Sequence, residues 1–228
     1  EGSTILVTDG ASNDAFFYLD KYRIPALVVM CGLFLILVIA IGRRRGVMSL
    51  AGLAVSVLVV AWFIVPLILS GHDAFLVSII GSYIIAFASI FIAHGAKKRT
   101  FISIGCVALI LLFVAIMSYL AVSILGLSGL GDETAFFLSV DQPKIDMSGV
   151  LAGGIVIASL GVLDDIVTAQ VATVDELHGA NPSLKSKELF KRASSVGGEH
   201  IASLVNTIAL VYIGAALPVV ISIASYNS

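Results

Sequence analysis

Long apolar runs, separated by short polar segments, organise most of the chain. Six runs reach the roughly 20 residues that a helix needs to cross about 30 Å of hydrocarbon. A backbone in lipid must satisfy its hydrogen bonds within its own segment, so each run is predicted to be a membrane-spanning helix. The pattern predicts an all-α, polytopic membrane bundle over residues 24–228, preceded by a segment of residues 1–23. The predicted spans are residues 24–42, 47–70, 74–94, 101–126, 148–171 and 200–224.

Basic residues are concentrated in alternate connections between these spans. Because cytoplasmic loops carry the excess of lysine and arginine, these connections are predicted to be cytoplasmic and both chain termini extracellular. The outer segment 1–23 contains T-I-L-V-T-D-G and could be the tail of an outward-facing β domain. The basic residues concerned are Arg43, Arg44, Arg45, Lys97, Lys98, Arg99, Lys185, Lys187, Lys191 and Arg192.

Composition supports a membrane protein and excludes several other classes. Hydrophobic residues make up 59% of the chain and charged residues 12%, against roughly 45–50% and about 25% in soluble domains. The net charge of −2 argues against a nucleic-acid partner. No phosphate loop, Ser/His/Asp arrangement or cysteine-rich motif is present. We therefore predict a multi-pass protein of the plasma membrane, with the lipid bilayer as partner and no enzymatic activity, cofactor or metal.

One pair of acidic residues, Asp164 and Asp165, lies within the fifth span. At about 1.5 Å per residue, the pair lies roughly 24–26 Å from residue 148, in the cytoplasmic third of the membrane. A carboxylate there costs about 2.5–3.5 kcal/mol on insertion scales, so such residues usually face the bundle interior or a water-filled cavity. Desolvation and mutual repulsion favour retention of a proton by the coupled pair. The pair is therefore a candidate proton relay.

Polar residues on the sixth span form a stripe at the same depth. Small residues accompany Asp164, Asp165 and Thr168 on one face of span five, and we predict that this face meets the stripe of span six. Before span six, residues 183–196 are predicted to form an amphipathic helix on the inner leaflet, ended by Gly197 and Gly198. The polar stripe consists of Glu199, His200, Ser203, Asn206 and Thr207.

Three alternatives remain open for these residues. The aspartates could sit at the inner interface if the span is shifted outward. Glu199 and His200 could be solvated interfacial charges. The acidic and histidine side chains could also hold a metal ion, although no mid-membrane pair has the i, i+4 spacing of metal ligands.

The C-terminal third carries a recognisable set of motifs, G-V-L-D-D-I-V-T-A-Q-V-A-T-V-D-E-L, K-E-L-F-K-R-A-S-S-V-G-G-E-H-I and V-N-T-I-A-L-V-Y-I-G-A-A-L-P. With these motifs the chain resembles the YibE/YibF-like family of bacterial membrane proteins from about residue 22 to its end. The resemblance implies a multi-pass fold and no established activity. Gly-Glu-His at 198–200 departs from the family's usual Gly, basic residue and Asp.

About 70 residues are similar, more distantly, to the proton-relay region of resistance–nodulation–division permeases and the related Sec accessory proteins. This likeness implies that Asp164 and Asp165 carry protons with help from Asn206 and Thr207. It also implies pairing with a related six-helix subunit as a homodimer or heterodimer. Two functional hypotheses follow: a proton-coupled, transporter-like module, or a structural or assembly subunit without transport activity.

Overall fold

The computed structural model describes residues 5–9, 16–21, 23–131 and 133–226. Two antiparallel strands, β1 (Ile5–Asp9) and β2 (Phe16–Lys21), form a hairpin ahead of the helices. Residues 1–4, 10–15 and 22 of the predicted N-terminal segment lie outside the described residues. The helices are α1 (Ile24–Val59), α2 (Val65–Leu69), α3 (Ala74–His94), α4 (Lys98–Leu125), α5 (Glu133–Asp141), α6 (Met147–Ala180), α7 (Ser186–Ala215) and α8 (Leu217–Tyr226).

Six helical segments are long and apolar enough to cross a bilayer. This confirms the predicted α-helical fold class, and the chain is an integral membrane protein. The first two spans share α1, which breaks at Arg43 with φ 49° and ψ −131°. The six segments are Ile24–Arg44, Gly46–Leu69, Ala74–His94, Lys98–Leu125, Met147–Ala180 and Ser186–Ala215.

The second span contains an irregular turn that fits it to α3. Residues Val60–Ile64 form a π-helical turn directly before α2, which carries Pro66 in its first turn. Ile64 is only 2% exposed, and a Cβ added at Gly81 of α3 would lie 2.5 Å from the Ile64 Cγ1 atom. Gly81 therefore provides the space into which Ile64 packs.

The core lies between the second span, α3, α4 and α6. Its fully buried aliphatic side chains include Ile90, Val107, Leu111 and Val156. The first and last spans lie outside this core, because none of the residues in their most apolar windows is buried. Their side chains are therefore open to lipid or to another subunit.

Helices α3 and α6 keep one register over three turns. Gly153 packs against Ser78, and Asp164 packs against Ser89. Each contact joins residues 75 positions apart in the chain, and 11 residues separate the two contacts on each helix. Eleven residues complete three helical turns to within about 20°. Close packing at Gly153 thus continues in register to the Asp164 carboxyl group.

The predicted helix end at Gly197 and Gly198 is wrong. Helix α7 runs unbroken from Ser186 to Ala215, so the amphipathic segment and the last span are one helix. Glycine costs only about 1 kcal/mol in a helix, whereas an unsatisfied backbone group in lipid costs several. Gly197 instead makes room for Gln170 of α6, whose Oε1 atom would lie 2.7 Å from an added Cβ. Gln170 Nε2 donates to the Ala193 carbonyl at 2.9 Å.

The last span also ends earlier than predicted. Helix α7 stops at Ala215, and α8 begins at Leu217. Pro218 has no N–H to donate to the carbonyl of Gly214, and its ring disfavours a continuous helix at this point. The apolar run of residues 200–224 is consequently divided between two helices.

Candidate functional site: a polar cavity around Asp164

A cavity of about 570 Å³ opens among the second span, α3, α4 and α6. It lies at the end of the bundle where the loop before α4 and the loop before α7 carry their lysines. We call this end the basic end and the cavity the basic-end cavity. At about 30 Å³ per water molecule, the space is large enough to be hydrated. Its polar lining consists of Ser49, Ser89, His94, Lys97, Arg99, Thr100, Ser103, Asp164, Asp165, Thr168 and Glu176.

Asp164 is half-buried at the inner part of this cavity. Its Oδ2 atom accepts a hydrogen bond from Ser89 Oγ of α3 at 3.1 Å. A Cβ added at Gly52 of the second span would lie 3.4 Å from the same Ser89 Oγ, so the serine is held between two spans. The Asp164 Oδ1 atom is buried without a hydrogen-bond partner among the described residues. One carboxyl oxygen is therefore fixed by Ser89, and the other is enclosed without a partner among the described residues.

Asp165 faces the same cavity from the next position on α6. Its side chain is exposed, in contrast to that of Asp164. The two carboxyl groups therefore share one water-accessible space while differing in depth and in hydrogen bonding. The structure places both carboxyl groups of the predicted pair at this cavity, and their role as a proton relay stays a prediction.

Three hydroxyl side chains from two helices complete the wall near the aspartates. Thr168 Oγ1 donates to the Asp164 carbonyl of its own helix at 2.8 Å. Thr100 and Ser103 on α4 are 1% and 4% exposed. The Thr100 Oγ1 atom is buried and makes no hydrogen bond within the described part of the chain. The wall thus contains one hydroxyl group, that of Thr100, whose bonding capacity is not used by neighbouring described groups.

Charged residues surround the mouth of the cavity. Arg99 Nη1 lies 3.7 Å from Asp175 Oδ2 and links the start of α4 to α6. His94 and Lys97 also line the cavity. No lysine or arginine lies in the middle of a described span. The basic side chains of the cavity come instead from the loop before α4 and from the start of α4.

The opposite side of Asp164 is closed by aliphatic packing. Leu160, one turn away on α6, is 4% exposed, and Val156 and Leu111 beyond it are 0% exposed. Tyr83 joins α3 to α4 here by donating its hydroxyl to the Ala108 carbonyl at 3.1 Å. Asp164 therefore marks the boundary between a polar cavity and a dry core.

The predicted hydrogen bonds from the last span to the aspartates are wrong. Ser203, Asn206 and Thr207 are exposed, and Thr207 Oγ1 donates to the Ser203 carbonyl within its own helix at 3.0 Å. Helix α7 meets α6 farther toward the basic end, at Gln170. The side chain that donates to Asp164 is instead that of Ser89 on α3.

Glu199 and His200 are likewise not at the aspartates. Both are exposed, and His200 lines a separate cavity beside Gln170 and Gly197. Among the described residues, no group of three or more histidine, cysteine or acidic side chains is arranged to hold a metal ion.

The sequence does contain a pattern that indicates span three, and not span six, as the neighbour of Asp164. Ser78, Ser82 and Ser89 fall within about 40° of one another on a helical wheel of span three. All three positions face α6 or the core, and Ser78 and Ser82 are 2% and 0% exposed. A serine stripe on an otherwise apolar span therefore indicated the face that meets the acidic helix.

Fold and cavity together define a polytopic α-helical membrane protein with an ionisable site in its interior. The family model described as YibE/F-like protein matches residues 30–228, so the chain belongs to the YibE/F-like family, and the resemblance seen in its motifs is confirmed. No curated protein and no solved structure matches the chain. The likeness to resistance–nodulation–division permeases and Sec accessory proteins stays a prediction.

Proposed function

We propose that this chain is a proton-coupled, transporter-like module of the bacterial plasma membrane, with Asp164 and Asp165 as its proton relay. The observation that supports it is the placement of the Asp164 Oδ1 atom, buried and unpartnered, at the boundary between a polar cavity and a dry core. Ionisable residues at membrane depth commonly belong to proton or ion pathways. The proposed role is not enzymatic.

The two carboxyl groups would have different tasks. Asp165 is exposed in the cavity and would exchange protons with water there. Asp164 would receive the proton at the inner end of the cavity, where Ser89 holds its other oxygen. Release on the far side would require the packing around Leu160 and Leu111 to open. In this proposal, the described arrangement is one state of an alternating cycle.

The direction of the cavity follows from the basic loops. Lysines and arginines at the basic end favour a cytoplasmic location, so protons would enter the described state from the cytoplasm. Both chain termini and the β1–β2 hairpin would then face outward. The hairpin is a candidate connection to an outward-facing domain or partner.

A second six-helix subunit is proposed to complete the protein. The first and last spans contribute no buried residues to their most apolar windows, which leaves two helices free for pairing in a homodimer or heterodimer. The same exposure favours a second candidate function, that of an assembly subunit. In that case, asparagine at both aspartate positions would dissociate the complex, and moderate changes of pH would not.

Proton flux in proteoliposomes tests the proposal. A potassium gradient with valinomycin would impose a membrane potential, and an internal pH dye would report proton movement. Wild-type protein should carry flux above that of protein-free liposomes, and Asp164→Asn should abolish it. Ser159→Ala is a matched control, because Ser159 lies on the same helix outside the cavity lining, is half-buried and donates to the Ile155 carbonyl at 2.7 Å. Wild-type flux at the background level, or equal flux in Asp164→Asn, contradicts the proposal.

A further inference from the structure

We propose that the basic-end cavity binds one monovalent alkali cation, with Asp164 Oδ1 as the charged ligand and the hydroxyl oxygens of Ser89, Thr100 and Ser103 as neutral ligands, directly or through water. The inference rests on the proposed function, because the same carboxyl group would serve protons and the cation. Binding, however, can be measured without any transport.

Two buried oxygens carry this inference. The Asp164 Oδ1 and Thr100 Oγ1 atoms are both inaccessible and make no hydrogen bond to any described group. They belong to different helices, α6 and α4, and both residues line the basic-end cavity. Buried polar atoms normally have partners, and a cation held between α4 and α6 would supply one to each of these oxygens.

Ser89 adds a third oxygen that can act as a ligand. Its hydroxyl hydrogen is donated to Asp164 Oδ2, which leaves the lone pairs of Oγ free. Ser103, 4% exposed on α4, provides a similar oxygen one turn from Thr100. Carboxylate and hydroxyl oxygens are ligands suited to hard cations rather than to soft transition metals.

Charge favours a monovalent ion over a divalent one. Asp164 contributes the one enclosed carboxylate, since Asp165 and Glu176, which also line the cavity, are exposed. One enclosed carboxylate beside neutral hydroxyls balances a single positive charge, whereas protein calcium sites usually gather several carboxylates. Arg99, the strongest base near the cavity, is directed to Asp175 at 3.7 Å. A cavity of about 570 Å³ admits an ion with part of its hydration shell.

Protons and the cation would compete for Asp164. The titratable or charged groups that face this carboxyl group across the cavity are Asp165, Glu176, His94, Lys97 and Arg99. For one-to-one competition, each unit of pH below the point of half-protonation weakens cation binding by up to about tenfold. The cation would then be a second coupling ion, or an inhibitor, of the proposed proton relay.

Equilibrium binding of ²²Na⁺ to the purified full chain in detergent tests the inference. At pH 8, wild-type protein should show one saturable site that choline does not compete for. Asp164→Asn should abolish binding, and Asp164→Glu, which keeps the charge, should retain part of it. Thr100→Val should weaken binding by roughly three- to tenfold. Thr207→Val is the matched control and should leave binding unchanged, because Thr207 is exposed on α7.

Several outcomes would overturn the inference. They are the absence of saturable Na⁺ binding, unchanged Na⁺ binding in Asp164→Asn, and stronger competition for bound Na⁺ by methylammonium than by Li⁺ or K⁺. Size-exclusion profiles of the variants identify any that fail to fold. Na⁺ binding without proton flux would refute the proposed function alone, and proton flux without Na⁺ binding would refute this inference alone.

Discussion

Substituting Gly153 by alanine should destabilise the bundle, whereas the same change at its neighbour Gly154 should not. A Cβ at Gly153 would lie 2.5 Å from the Ser78 Cβ atom and 3.3 Å from the Ala74 carbonyl oxygen. The Ser78 Cβ atom is fixed by the backbone, so rotation of the side chain cannot relieve the overlap. Helices α3 and α6 would have to separate by almost 1 Å to restore ordinary contact, which begins at 3.4 Å.

The expected loss can be worked out from two opposing effects. Overpacking of a tight interface costs about 1–3 kcal/mol, and replacing glycine by alanine within a helix recovers about 0.5–1 kcal/mol. The net loss for Gly153→Ala is therefore on the order of 0.5–2 kcal/mol. At Gly154 no atom lies within 4 Å of the added Cβ, so only the favourable helix contribution remains.

Thermal unfolding in detergent measures this difference, and size-exclusion chromatography of heated samples reports the fraction of protein that stays folded. Gly153→Ala should unfold at a lower temperature than wild type, and Gly154→Ala at the same or a higher temperature. Since the contacts at Gly153 and Asp164 share one register, separation at Gly153 should also weaken the Ser89 contact. Equal stability of the two variants would refute the register that links Gly153 to the site.

The remaining predictions concern hydrogen bonds outside the aspartate pair. Ser118→Ala should lower stability by about 1 kcal/mol, because Ser118 Oγ donates to the buried Ala152 carbonyl at 2.9 Å. Ser82→Ala should be neutral or stabilising, because the Ser82 Oγ atom is buried without a partner among the described residues. Thermal melts of both variants check this, and a loss at Ser82 equal to that at Ser118 would contradict it. At the start of α6, the Ser148 hydroxyl donates to Asp146 Oδ1 at 2.6 Å. This bond and those from backbone N–H groups hold the pKa of Asp146 below its usual 3.8. This stabilisation is present above about pH 4 and is lost as the pH falls through the lowered pKa. Asp146→Ala should therefore lower the free energy of unfolding by about 0.5–2 kcal/mol at pH 7 and by less at pH 3, as measured by thermal melts. A loss independent of pH would show that the carboxylate charge is unimportant.

Hydropathy was sufficient to predict the spans, because crossing a bilayer imposes both length and apolarity. The ends of helices were harder to predict. The pair Gly197 and Gly198 looked like a helix end, but the physical role of Gly197 is to admit Gln170, and that requires knowledge of the partner helix. Similarly, Arg43 breaks α1 with a positive φ that no residue-type rule anticipates.

The candidate site was predicted only in part. Two adjacent aspartates in an apolar run are conspicuous, so the acidic half of the site could be found from the sequence. Its partner was misassigned, because polar residues on the last span outnumber the serines of span three. Counting polar residues does not show which helices touch, whereas the Gly153–Ser78 packing decides that α3 lies against α6.

Access of water to Asp164 from the basic end alone is the central claim, and cysteine labelling tests it most directly. Cys31 and Cys106 would first be replaced, and then Asp164→Cys and Lys97→Cys would be introduced singly. A membrane-impermeant thiol reagent applied to right-side-out and inverted vesicles would report the accessible face. The account predicts that position 164 is labelled from the same face as position 97 and is protected from the other. Labelling of position 164 from the opposite face, or from neither, would contradict it.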